Sequence, residues 1–183
     1  AAYYATFNRG GGPLPNGFSL FEGITDPSIE PLGCISMTLN EALVQSVSAE
    51  PGGPEVIRVF PAWPQAWDAC FCLLVRGGSL FSSSMRAGRI EFVEIESRSG
   101  EDCRMRNPWE GQPCQVQQTD CPVTRLSGEI LHFETKPGER FLIWPEGESV
   151  PSSRQITAEP STGPVSYSFA LPGGTACGVL GKD

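Results

Sequence analysis

Few side chains in this sequence have a type and spacing suited to chemistry, and the first of them is a glutamate at the start of a helical stretch. Apolar or small residues at Ile29, Leu32, Gly33, Ser36, Leu39, Leu43, Val44 and Val47 recur at three- and four-residue intervals, which predicts one helix with a buried stripe, ending near Ser48. Ser28 is the preferred N-cap, because it leaves Pro31 in the first turn, where a missing N–H would be an orphan in any case. Glu30 then sits where the helix dipole and free N–H groups favour an ionised carboxylate, the form a general base needs. Acidic residues are favoured there for stability alone, so position by itself assigns Glu30 no role.

Other reactive types are sparse. His132 is the only histidine, and strand alternation directs it away from Leu131 and Phe133, so neither a Ser-His-Asp triad nor a multi-histidine metal centre is expected. Cys70 and Cys72 share one strand face and could hold a soft metal, but no CxxC pair lies elsewhere, and packing as small core residues is the favoured reading. No metal or cofactor is expected. Seven cysteines are an odd number and do not indicate a full disulfide framework, although Cys114 and Cys121 bracket a polar loop and could pair. Trp63 and Trp67 could form a carbohydrate-stacking platform, or they could plug the core where helix meets sheet. The plug is favoured, since tryptophan is on average highly buried.

The elements that must position these residues are mostly short strands. Residues 56–60 read as a strand ended by Pro61, and Pro61 and Pro64 make a stiff extended corner that aims Trp63 and Trp67. Residues 69–76 alternate, with Phe71, Leu73 and Val75 on one face and Cys70, Cys72 and Leu74 on the other, and both faces read as buried. Gly77 and Gly78 reverse the chain into 80–86, and Ala87-Gly88 makes a tight hairpin to 89–97. The apolar parity of that return strand changes between Phe92 and Val93, which predicts a bulge. Further strands are expected at 103–106 (Cys103 and Met105 inward), 123–126, 129–135 and 141–144, with 109–121 as a polar loop and a type II turn at 136–139. The predicted fold is mainly β: an antiparallel β-sandwich preceded by one α-helix. Residues 1–50 form an irregular lead-in and terminal helix, 51–146 the sandwich, and 147–183 a Pro/Ser/Gly-rich tail with an edge strand near 165–171.

Composition narrows the partners. A length of 183 residues suits one sandwich-sized domain, and Gly 21 with Pro 17 favours many turns over a helical bundle. A net charge of −8 without a Lys/Arg cluster argues against nucleic acid and anionic membranes. No apolar run reaches membrane-spanning length, and no signal-peptide pattern is visible.

A helix leading into NEALVQS (40–46), then VIRVFPAWP (56–64), Trp67, Arg76-Gly77-Gly78 and CRMRNPW (103–109), resembles in order the end of glycoside hydrolase family 95, the α-L-fucosidase and α-L-galactosidase group. The resemblance covers about residues 25–145. It implies that 40–46 is the tail of the last helix of an (α/α)6 barrel, and that the later strands are the C-terminal sandwich supporting that barrel. Hydrolysis with inversion, and the oligosaccharide substrate, would belong to the upstream helical-barrel catalytic domain. The family's general-base aspartate, in an Asp-Gly-Asn-Phe-Gly motif, falls by position on Glu30, where this chain reads Glu30-Pro31-Leu32-Gly33-Cys34. The general acid lies upstream, so the chain is expected to be non-catalytic, with a carbohydrate-binding module built on exposed tryptophans, or a structural interaction module, as the alternatives.

Overall fold

A computed structural model describes residues 30–48 and 50–149 and four short strand segments at 19–21, 26–28, 169–170 and 176–177. The chain divides into two compact units, Asn40–Thr157 and a smaller one made of Ala1–Leu39 with Ala158–Asp183. The smaller unit contains β1 (Ser19–Phe21) paired antiparallel with β2 (Asp26–Ser28), and β13 (Phe169–Ala170) paired with β14 (Ala176–Cys177). Of the predicted edge strand near 165–171, residues 165–168 and 171 lie outside the described residues. The helix α1 (Glu30–Leu43) begins one residue later than predicted, with Ser28 in β2 rather than at the cap.

The larger unit is two stacked sheets. One holds six strands in the order β10 (Thr124–Leu126), β9 (Cys114–Gln118), β12 (Arg140–Pro145), β7 (Arg89–Ser97), β6 (Ser79–Arg86) and β5 (Ala69–Leu74). The other holds four: β11 (Ile130–Phe133), β8 (Cys103–Arg106), β4 (Glu55–Val59) and β3 (Val44–Ser48). Pairing is antiparallel except for β4 against β8, which meet in parallel through Ile57 and Met105. The fold is therefore mainly β with a helix ahead of the sandwich strands, as expected. No described helix is long and apolar enough to cross a membrane.

Alternation builds the core. Phe71, Phe81, Met85, Val93, Ile95, Phe141 and Ile143 from the six-stranded sheet meet Val44, Ile57, Val59, Met105, Leu131 and Phe133 from the four-stranded one. Where the chain crosses between sheets, the crossovers are tied to each other: buried Ser97 and Thr135 share a hydrogen bond of 2.7 Å, and the Gly138 N–H donates to the Ser97 carbonyl at 2.7 Å. A Cβ on Gly100 would lie 2.5 Å from Pro137 Cδ, so only glycine fits this seam, at φ 80°.

Three expectations fail. Residues 44–48 are strand, not helix: Val44 to Ser48 pair with Val59 to Glu55, and the turn after them closes with the Gly53 N–H on the Glu50 carbonyl at 3.0 Å. The apolar spacing fitted a helix, but two β-branched valines beside serines in front of a Pro-Gly-Gly turn suit a hairpin better. Ser36 and Leu39 are accordingly exposed, not part of a buried stripe. Second, the polar loop 109–121 contains β9, whose Cys114 and Val116 are buried while its glutamines fill the other positions. Third, Cys70, Cys72 and Leu74 are exposed on the outer face of β5, so that strand is buried on one side only. The predicted bulge is present: Ser84 faces Phe92 and Met85 faces Ile90, leaving Glu91 extra.

Candidate functional site

The sandwich brings two of the three predicted site residues together. β4 ends at Val59, and Phe60 adopts a left-handed conformation (φ 50°) with its N–H donating to the Leu43 carbonyl at 2.7 Å. The proline corner follows and leads into β5. Trp63 packs against the core edge and donates Nε1–H to the Trp67 carbonyl at 3.0 Å, while the Trp67 N–H reaches the Pro64 carbonyl at 3.0 Å. The corner is anchored to the β6–β7 hairpin, since Asp68 Oδ1 accepts the Ala87 N–H at 2.8 Å.

Trp63 is half-buried against the core edge, less enclosed than the expected plug. Trp67 is not: it is 60% exposed and stands edge-on to Trp63, with ring centroids 5.9 Å apart and planes at 75°. Trp63 packs on the core cluster whereas Trp67 contacts it through the first ring's edge-on pairing. Two rings near a right angle present no shared flat surface, which is what stacking on successive sugar faces requires.

Glu30 opens α1, in the first turn as predicted, and its side chain lies outside the described residues. His132 is the exposed strand histidine expected, with Nε2 3.2 Å from Asp102 Oδ2. Cys114 and Cys121 are both free, one buried and the other exposed, so the suggested pairing is absent. Cys114 Sγ instead donates to Asn107 Oδ1 at 3.5 Å. Burial pushes the Cys114 thiol up to about 11, offset in part by that hydrogen bond, and burial alone pushes Cys103 up to about 12, so neither is a ready nucleophile. Among the described residues no group of three or more His, Cys, Asp or Glu side chains could hold a metal ion.

Sequence reasoning passed over a cavity of about 770 Å³ whose lining includes Arg58, Phe60, Arg106, Asn107, Glu110 and Glu129. In the sequence Arg58 is simply a charged residue within the apolar run 56–60, and 103–106 reads as a separate strand, with nothing local to bring the two together. The residues converge because β4 and β8 are neighbours, which needs the parallel pairing that no local pattern announces. Compared with known proteins, the chain matches no family model and has no significant match among curated proteins.

Proposed function

We propose that this chain is the non-catalytic C-terminal β-sandwich portion of a carbohydrate-active glycoside hydrolase of the family 95 type, supporting a helical-barrel catalytic domain. The observation that carries this reading is the junction of helix and sandwich. Leu43 ends α1 and Val44 begins β3 without a linker, so the last turn of the helix, from Asn40, runs directly into the sheet. The junction is locked on its other side by the Phe60 N–H on the Leu43 carbonyl and the Ala62 N–H on the Ala42 carbonyl, at 2.7 and 3.4 Å. A sandwich that grips a helix end in this way is suited to holding the last helix of a larger helical body. The first two quoted segments fall on the junction itself: NEAL in α1, VQS in β3, VIRV in β4 and FPAWP at the corner. The helix end thus lies earlier than the resemblance implies.

The oligosaccharide would be bound by the barrel and hydrolysed there. Glu30 is at most the base of an inverting pair, which needs a protonated acid ~6.5–9.5 Å away and a water between them. The edge-on arrangement of Trp63 and Trp67 favours this support role over a tryptophan-based binding module.

The purified chain is expected to show no turnover of aryl α-L-fucoside or α-L-galactoside, and the coding frame upstream of Ala1 is expected to contain an extended helical region. Turnover that Glu30→Ala abolishes would overturn the proposal by showing a complete site within these residues. A stop codon directly upstream would overturn it equally.

A further inference from the structure

The six-stranded sheet ends on two unlike edges. β10, at one edge, has three residues, as short as protected edges commonly are, whereas β5, at the other, has six and carries no proline, lysine or bulge. The pairing with β6 fixes which backbone groups of β5 face outward. The Val75 N–H donates to the Ser79 carbonyl at 2.9 Å, which makes those two residues a hydrogen-bonded pair. Antiparallel alternation then commits the odd residues of β5 to β6 and turns the N–H and C=O of Cys70, Cys72 and Leu74 toward the open edge. Among the described residues no strand pairs with them.

The side chains on the outer face of the same stretch form their own complement. From Asp68 to Arg76 exposure alternates without a break, and the exposed positions run Asp68, Cys70, Cys72, Leu74, Arg76. An acid stands at one end and a base at the other, with apolar or sulfur side chains between. A second copy turned antiparallel about a two-fold axis through Cys72 sets Asp68 against Arg76, Cys70 against Leu74, and Cys72 against itself. That register makes the outward backbone groups hydrogen-bonded pairs and covers Leu74, which is 61% exposed. It also sets Phe71 opposite Leu73 on the inner face, so the core side of the sheet continues across the axis. Asp68 uses only Oδ1, on the Ala87 N–H, and the Arg76 side chain only Nη1, on Glu55, which leaves Oδ2 and Nη2 for the second copy. Shifting that copy by two residues keeps the backbone bonds but sets Asp68 against Leu74, or Arg76 against Cys70, and loses both ion pairs.

We propose that the protein forms a two-fold dimer in which β5 pairs with β5 of a second copy in this register, joining the two six-stranded sheets into one. The proposal rests on the edge strand alone and not on the hydrolase reading.

Sedimentation velocity of the full chain under reducing conditions, at up to ~1 mM protein, should show a monomer–dimer equilibrium. Leu74→Lys, a charge at an exposed edge position, should keep the circular dichroism of the parent and remain monomeric. Arg76→Glu should raise the dimer Kd about tenfold, since both ion pairs become like-charge contacts. Disulfide trapping checks the register. The two Cys72 Cα atoms would lie ~5.5 Å apart, within disulfide reach, whereas Cys70 would lie ~7–8 Å from the second copy's Cys72 and roughly 14 Å from its Cys70. With oxidised glutathione, one Cys72 thiolate attacks the glutathione disulfide and releases one glutathione thiolate. The second copy's Cys72 thiolate then attacks the mixed disulfide and releases the other, so two protein thiols become one disulfide and two glutathione molecules leave reduced. Peptide mapping should therefore find a Cys72-to-Cys72 link in the parent and in Cys70→Ser, and no link through β5 in Cys72→Ser. A monomer at every concentration, a dimer that Leu74→Lys leaves intact, or trapping through Cys70 in Cys72→Ser overturns the proposal.

Discussion

The two sheets of the sandwich are built on different terms. The six-stranded sheet contains β5, β6 and β7 as consecutive hairpins, with strands of six to nine residues and fully antiparallel pairing. The four-stranded sheet joins one short hairpin, β3–β4, to the distant strands β8 and β11, all of four or five residues, through one parallel pair at its centre. The difference is chemical as well. The inner face of the larger sheet presents Phe81, Val93, Ile95 and Ile143 with no exposure at all, whereas the smaller sheet carries Arg58, Arg104, Arg106 and His132 on its outer face. Regular pairing makes the larger sheet the stable frame. The smaller sheet is also where a buried Arg58 Nε without a hydrogen-bond partner among the described residues and the left-handed Phe60 are found, so irregularity gathers on that side of the sandwich.

The largest expected effect comes from attacking the frame. Phe81→Ala should cost ~3–5 kcal/mol in a denaturant titration, since the ring is fully enclosed and its neighbours belong to long paired strands. A loss under about 1 kcal/mol would mean that the larger sheet does not carry the core. A smaller and more pointed comparison lies at the corner between the sheets. Trp63→Ala should cost about 2 kcal/mol, and Trp67→Ala less than about 1, because the first indole packs on the core and the second is mostly in water. Equal losses would show that the edge-on pair acts as one unit.

Much of the larger sheet was legible in the sequence, because its signals are local. Ala87-Gly88 between two alternating runs requires left-handed conformations at both turn positions, and the structure has φ 47° and 74° there. The change of parity next to Phe92 announced the bulge at Glu91. Lys136-Pro137-Gly138-Glu139 carried its own turn geometry, with the Glu139 N–H on the Lys136 carbonyl at 3.1 Å. The smaller sheet was harder to read. In 44–48 the three-residue spacing of the valines fits a helix and puts them on opposite faces of a strand, and only the partner strand decides against the helix. β9 has two apolar residues among glutamines, too weak an alternation to stand out from a loop. The placements of Cys70, Cys72 and Trp67 failed for a different reason: residue type gives an average burial, but which side of an edge strand or corner is covered depends on the rest of the fold. The Arg58 cavity depends on the parallel joint, and was invisible for the same reason.

That joint also bears on the order in which the chain folds. Consecutive hairpins close small loops and form early, whereas a pairing between residues nearly fifty positions apart in sequence must wait until the entropy of closing that loop is offset by a core already in place. Met105, on the β8 side of the joint, fully buried and paired only with strands distant in sequence, should therefore make its contacts after the transition state. Met105→Ala should leave the refolding rate nearly unchanged while accelerating unfolding, a φ-value near zero, and an equal slowing of refolding would place the joint in the nucleus instead. A late joint means that the β4–β8 seam is the last part of the sandwich to exist and the first to be lost, so that substitutions there act on the lifetime of the folded state more than on the speed of reaching it.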